Sequence, residues 1–250
     1  PAHTDAPVTP GDRVRVVMEE RTEGFDPEPL PLSILYEDEC FLAVDKSSGM
    51  LVHPSPQKNS GTLANGVLYH LLARGEASGV HPVTRLDRDT FGVVILAKNA
   101  NIHDRFCRML RERQLEKTYL AAVFGQPPQE NGQIDLPVYK VGGGSLIRVV
   151  DARGQQALTR YRVLETAGQT ALLELHPMTG RTHQLRLHCM ASGFPILGDP
   201  QYTSPEVTAY SAAHGLFTQQ LCAARLVFPH PMTGERMEIL SKQEVFFPKD

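Results

Sequence analysis

Asp87 stands between two arginines, Arg85 and Arg88, in the segment His81–Lys98 (HPVTRLDRDTFGVVILAK). Thr90 and Gly92 follow as turn formers, and then comes the unbroken apolar run Val93-Val94-Ile95-Leu96-Ala97. A charged cluster on a tight turn before a buried strand is a common way to build a site: the strand fixes the backbone and the turn aims one side chain into a cleft. The run is short, β-branched and not alternating, so it reads as a strand buried on both faces. Two further segments carry chemistry. Gly180-Arg181-Thr182-His183-Gln184 combines a guanidinium, an imidazole and an amide, and Lys117-Thr118-Tyr119 puts an amine and a phenol at the start of a strand. Singly, each has an ordinary explanation. Arg-x-Asp-Arg on a turn is commonly a solvated ion-pair cluster worth ~0–1 kcal/mol, a strand tyrosine is commonly a core residue, and the arginine can simply cap a surface helix.

The elements that must position these residues can be read from patterning. Thr62 can cap a helix through LANGVLYHLLAR with Leu63, Val67, Leu71 and Leu72 on one face. Asn99 or Asn101 can start another, in which His103, Phe106, Cys107 and Leu110 recur at helical spacing. Strands are expected at 118–124, 146–151, 157–165, 170–176, 221–228 and 235–240, separated by Gly-rich turns such as VGGGS and ETAGQ. Arg181 is expected to begin a short helix carrying Leu185 and Met190, and ASGFPILGDPQY to form a Gly/Pro loop around a brief strand. Strand-dominated order with helices between hairpins points to an α+β fold with a largely antiparallel, mixed sheet and flanking helices.

The chain has 250 residues, 41% apolar and 21% charged, an ordinary globular composition. No window approaches the roughly 18 apolar residues of a membrane span, and the N-terminus lacks the basic start and apolar stretch of a signal peptide. Cys40, Cys107, Cys189 and Cys222 form no CxxC pair, which fits neither a zinc site nor a disulfide scaffold and favours a reducing cytoplasm. His183, His188 and Cys189 are close in sequence, but no second pair of ligands accompanies them, so no metal is expected. The formal charge of −3 is unevenly spread: residues 1–40 carry ten acidic and three basic side chains, leaving +4 on the rest. Arg105, Arg108, Arg111, Arg113 and Lys117 fall together, as phosphate contacts require, although such a run is commonly a solvated helix face.

Five segments in order resemble the RluA-type RNA pseudouridine synthases. They are ILYEDECFLAVDKSSGMLVH (34–53), HPVTRLDRDTFGVVILAK (81–98), EKTYLAAVFG (116–125), TGRTHQLRLHCMASGFPILGDPQY (179–202) and LCAARLVFPHPMTG (221–234). The resemblance covers roughly residues 31–248 and departs at Thr84, where the family usually has His, and at Phe91, where it has Ser. It implies a sheet crossed by a central active-site cleft, and isomerisation of uridine to pseudouridine in structured ribosomal or transfer RNA without cofactor or metal. The first segment implies an apolar strand, a lysine, and a Gly-containing turn into a second strand ending in His-Pro. By the same resemblance Asp87 is the catalytic carboxylate, Arg181 pairs with it bidentately, and Tyr119 stacks on the target base and assists proton transfer. Arg85, Arg88, Lys117, His183 and Gln184 contact RNA, whose target base must be flipped out. Residues 31–250 are then the catalytic domain. Residues 1–30 are a remnant and linker in which PGDRVRVVME resembles the last strand of an alpha-L type RNA-binding module. Two other functions compete with this one. A plain RNA-binding module is disfavoured because Asp87 would repel phosphate. A serine hydrolase using SSGMLVHPS lacks the Gly-x-Ser-x-Gly elbow.

Overall fold

The computed structural model describes residues 7, 9–11, 24–55, 58–76, 79–142 and 147–249. All but the first two residues of the PGDRVRVVME segment lie outside this range. The described chain runs β1 (Ile34–Glu37), β2 (Phe41–Lys46), α1 (Leu63–Ala73), β3 (His81–Pro82), β4 (Phe91–Ala97), α2 (Ala100–Arg111), β5 (Glu116–Phe124), β6 (Asn131–Asp135), β7 (Val138–Lys140), β8 (Arg148–Val150), β9 (Leu158–Ala167), β10 (Thr170–Pro177), α3 (Gln184–Ala191), α4 (Pro205–Ala213), β11 (Leu221–Pro229) and β12 (Arg236–Leu240). One ten-stranded sheet has the order β1-β2-β4-β11-β5-β10-β9-β6, with β12 on β11 and β3 on β4, while β7 and β8 form a separate hairpin. Among the described residues only β4 and β11 pair in parallel. The fold is α+β with a mixed, largely antiparallel sheet, as the patterning predicts.

The unbroken apolar runs are explained by helices on both faces. α1 lays Leu63, Ala64, Val67, Leu68 and Leu71 against Leu42, Val44, Val94 and Leu96. α2 lays Ile102 and Phe106 against Phe41, Ala43, Val93 and Ile95. Thr62 and Asn99 cap these helices through side-chain oxygens. Leu72, expected on the buried stripe of α1, is 44% exposed; at 100° per residue it sits about 110° from the centre of that stripe. Residues 50–54 do not form the expected second strand.

Two features of the sheet create room for a site. β3 pairs with the far end of β4, at Leu96 and Ala97, whereas β11 pairs with its beginning, at Phe91 and Gly92. A bulge between Cys222 and Arg225 then carries β11 away, so that its second half takes β12 as neighbour. The connection Val83–Thr90 therefore returns along the β4 edge to the point where β11 starts. Gly92 makes that approach feasible: its φ is +107°, and a Cβ there would lie 2.4 Å from the Ala223 carbonyl oxygen.

Candidate active site

The Asp87 turn is fastened by its backbone. The Lys46 ammonium, 1% exposed, donates to the carbonyls of Ser47 (3.0 Å), Met50 (2.8 Å) and Arg88 (2.9 Å). Ser48 Oγ donates to the Asp89 carbonyl at 3.0 Å, and the Gln219 amide donates to Thr90 Oγ1. Thr84, at the position of the family's usual His, accepts from the Ile95 amide at 3.0 Å. Burial pushes the pKa of Lys46 down to about 8, opposed by the charges of Asp89 and Asp87. Asp87 is left with a partly exposed side chain on a rigid mount.

The guanidinium on Asp87 is that of Arg186, not Arg181. Arg186 Nη1 donates to Asp87 Oδ2 at 3.0 Å. The same group is held from behind by Asp199, Nε to Oδ2 at 2.6 Å and Nη2 to Oδ1 at 2.9 Å, and by Gln201 Oε1 at 3.1 Å. Its carbon lies 5.0 Å above the Tyr202 ring. Asp199 also accepts from the amides of Gln201 and Tyr202 at 2.8 and 3.0 Å. Burial works against both charges, but their mutual hydrogen bonds outweigh it: the pKa of Arg186 is raised and that of Asp199 lowered. Both are therefore ionised at neutral pH, and the bidentate geometry suits the planar fork.

Arg181 is displaced from this role by the start of α3. The helix begins at Gln184, with His183 as a left-handed N-cap (φ 57°, ψ 16°), three residues later than expected. Arg181 stays outside it, exposed, its Nε donating to the Gln156 carbonyl at 3.2 Å. A signal for Arg186 was present in the sequence: a charge inside QLRLHC, flanked by leucines, must be buried with a partner.

The other sequence-predicted residues divide. Tyr119 lies on β5 one position from Leu120, which pairs with Cys222 opposite Phe91, so it sits beside the Asp87 turn. Its pKa is raised by burial and then by the negative charge of Asp87, so it is a neutral phenol at physiological pH. Lys117 Nζ would lie 3.9 Å from a Cβ on Gly180, which places it against the Gly-Arg-Thr-His-Gln turn, and burial lowers its pKa. His183 Nε2 is 3.9 Å from Asp87 Oδ2. Arg85 is exposed, and Arg88 is exposed but engaged with Asp89 at 3.0 and 2.9 Å. Gln184, expected as an RNA contact, has its side chain committed inside the protein. It is 4% exposed, accepts from Thr179 Oγ1 and the Arg181 amide, and donates to Leu158 and Thr159, tying the turn to β9.

Residues 40–191 match the family described as RNA pseudouridylate synthase. The chain belongs to the RNA pseudouridine synthases, of the RluA type. It is 37% identical over 236 residues to an RNA pseudouridine synthase of Bacillus subtilis, covering 92% of this chain and 76% of that one. It is 34% identical over 241 residues to ribosomal large subunit pseudouridine synthase D of Pasteurella multocida, covering 93% and 74%. The solved structure of human RNA pseudouridylate synthase domain containing 1 superposes with a TM-score of 0.69 at 27% identity, covering 85% of this chain and 84% of that one. This synthase thus forms pseudouridine in RNA, an isomerisation in which the bond from uracil N1 to the ribose breaks and one from C5 forms.

Two histidine–cysteine groupings in the synthase bear on metal binding. His188 shares hydrogens with Thr159 Oγ1 and the Leu136 carbonyl, both at 2.9 Å, and burial pushes the neighbouring Cys189 thiol up to about 12. His188 and Cys189 are core residues. Asp38, Cys40 and His230 also cluster. There the Nδ1 of His230 accepts from the amides of Met232 and Thr233 at 3.3 and 3.1 Å, leaving Nε2–H to donate to Asp38 at 2.7 Å. Both ring nitrogens are thereby committed to tying two turns together.

Proposed function

We propose that this synthase acts through Asp87 on a uridine flipped out of structured RNA, with no cofactor. The observation that carries this reading is the asymmetry at Asp87. Arg186 and His183 both approach Oδ2, and among the described residues no hydrogen bond occupies Oδ1. The carboxylate is held in place by one oxygen while the other remains available to ribose or base. Tyr119, beside it, supplies a flat ring for the uracil and a hydroxyl with no hydrogen-bond partner among the described residues.

RNA is held chiefly through phosphate charge, with sequence read in single-stranded loops. Arg85 on the Asp87 turn, and Arg181 and Lys117 at the turn that leads into α3, supply positive charge for this. On α2 and in the turn after it, Arg108, Arg111 and Arg113 are exposed with no carboxylate partner among the described residues, whereas Arg74, Arg153, Arg162, Arg225 and Arg236 each lie against one. A group of exposed, unpaired arginines this close in sequence fits a phosphate-tracking surface. Relatives named as large-subunit synthases favour ribosomal RNA in the cytoplasm as the target, with transfer RNA as the second candidate. Residues 31–250 are the catalytic domain in this reading.

The test is incubation of the protein with ribosomal and transfer RNA carrying tritium at uracil C5, with tritium release and carbodiimide mapping as readouts. Release from the parent, and none from Asp87→Asn at retained RNA affinity, is expected. Turnover by Asp87→Asn overturns the assignment.

A further inference from the structure

His183 is held in a backbone conformation that residues other than glycine rarely adopt; among the described non-glycine residues only Arg113 shares its positive φ. Such strain persists where surrounding contacts over-determine it, and it concentrates at functional positions. The surroundings are specific. The Arg148 amide donates to the Tyr202 hydroxyl oxygen at 2.9 Å, and the same hydroxyl lies 2.9 Å from His183 Nδ1. Tyr202 is 5% exposed, and no other acceptor contacts its hydroxyl among the described residues.

Proton counting then fixes the direction of the chain. The Arg148 amide can only donate, so it occupies a lone pair on the phenol oxygen. The phenol proton needs an acceptor, and Nδ1 is the one within reach. His183 therefore accepts at Nδ1 and carries its own hydrogen on Nε2, the atom 3.9 Å from Asp87 Oδ2. Burial pushes the pKa of His183 down, with Asp87 opposing and Arg186 and Arg148 adding to the depression, so the ring is neutral at physiological pH.

We infer that His183 is a positioning residue for Asp87: a neutral imidazole, locked by Tyr202 in the Nε2–H tautomer, that directs this hydrogen to Oδ2 and leaves Oδ1 as the oxygen that meets the substrate. At 3.9 Å the contact is electrostatic and tightens to a hydrogen bond by a shift of about 1 Å, as apo sites commonly do on loading. The Tyr202 hydroxyl acts through His183, while the Tyr202 ring supports the Arg186 guanidinium from below. The inference rests on the reading of Asp87 as the reacting carboxylate.

Two variants test it. His183→Gly suits the left-handed backbone and keeps the fold, and Tyr202→Phe keeps the ring beneath Arg186 but removes the lock. The expected result is a fall of about 10–100-fold in kcat for His183→Gly, with KM for RNA within about twofold and an unchanged melting temperature. Tyr202→Phe should lower kcat less, and should add nothing in the His183→Gly background. In ¹⁵N-histidine NMR, the signal lost in His183→Gly should report the Nε2–H tautomer in the parent and a mixture of tautomers in Tyr202→Phe. A rise in KM with kcat unchanged would make His183 an RNA contact, and additive losses or a parent Nδ1–H tautomer would break the chain; each overturns the inference. If Asp87→Asn turns over, the reading of Asp87 itself has failed. If Asp87→Asn is inactive while His183→Gly runs like the parent, only the positioning role is lost.

Discussion

The two segments that meet at Asp87 are built on opposite plans. The turn at 84–90 is held mainly through its backbone: carbonyls of Arg88 and Asp89 accept from Lys46 and Ser48, and the Asp87 side chain contributes little to holding the turn. The segment 181–202 is held through its side chains. Arg186 has an ion partner on each side, and Asp199, with 0% of its side chain exposed, serves one guanidinium and two backbone amides. A side chain on a backbone-fastened mount can be exchanged cheaply, whereas a member of a buried charge network cannot, because its removal strands an opposite charge. Chemistry and stability should therefore separate between the two segments.

The largest effect expected on activity with the smallest on stability is at Asp87. Asp87→Asn should abolish tritium release yet shift the denaturation free energy by less than about 1 kcal/mol, since Arg186 keeps Asp199. A loss of several kcal/mol would erase the contrast. Asp199→Ala should do the reverse of sparing the fold: one-sided removal from the buried network costs about 3–5 kcal/mol, read by chemical denaturation, and activity falls because Arg186 is no longer aimed. Equal stability losses at Asp87 and Asp199 would show that the two segments are held alike.

The two arginines of the second segment sharpen the comparison further. Arg186→Lys loses the planar fork and should nearly eliminate kcat. Arg181→Lys should leave kcat intact, and Arg181→Ala should lower the salt dependence of RNA binding by about one charge. A kcat collapse on Arg181→Ala would return the central role to the residue outside the helix.

A smaller effect concerns Lys46 in the first segment. Its folded-state pKa of about 8 lies below the ordinary lysine value of 10.5, so between these pH values the unfolded chain binds more protons than the folded one. Stability should then rise as pH climbs from 8 toward 10.5, by at most about 3 kcal/mol. Activity should fall over the same interval, because a neutral amine has two hydrogens for three carbonyls and one fastening of the Asp87 turn is released. Denaturation of the parent and Lys46→Met at pH 7.5 and 10 checks this: the pH-dependent rise should vanish in the variant.

Much of this was legible in the chain. The Val93–Ala97 run, the caps at Thr62 and Asn99, and the strands expected at 157–165, 170–176 and 221–228 (observed at 158–167, 170–177 and 221–229) follow from local rules of burial, capping and turn chemistry. Some elements escaped. The polar edge strand β6 (NGQID) has one buried residue, so it carries no apolar alternation. α4 lacks an apolar stripe, although its Ser204-Pro205-Glu206 start carries a helix signal. Sequence alone determined that Asp87, Tyr119 and a Gly-Arg-Thr-His-Gln segment belong to a synthase of this family, because residue type and order survive without coordinates. Which arginine reaches Asp87 was decided only in three dimensions. The left-handed turn at His183 delays α3 to Gln184, which leaves Arg181 outside the helix and puts Arg186, in its first turn, on the side that meets Asp87. Tyr202, Asp199 and Gln201 were equally silent in one dimension, since their importance lies in what the fold brings within hydrogen-bond reach: the buried guanidinium of Arg186 and the imidazole of His183.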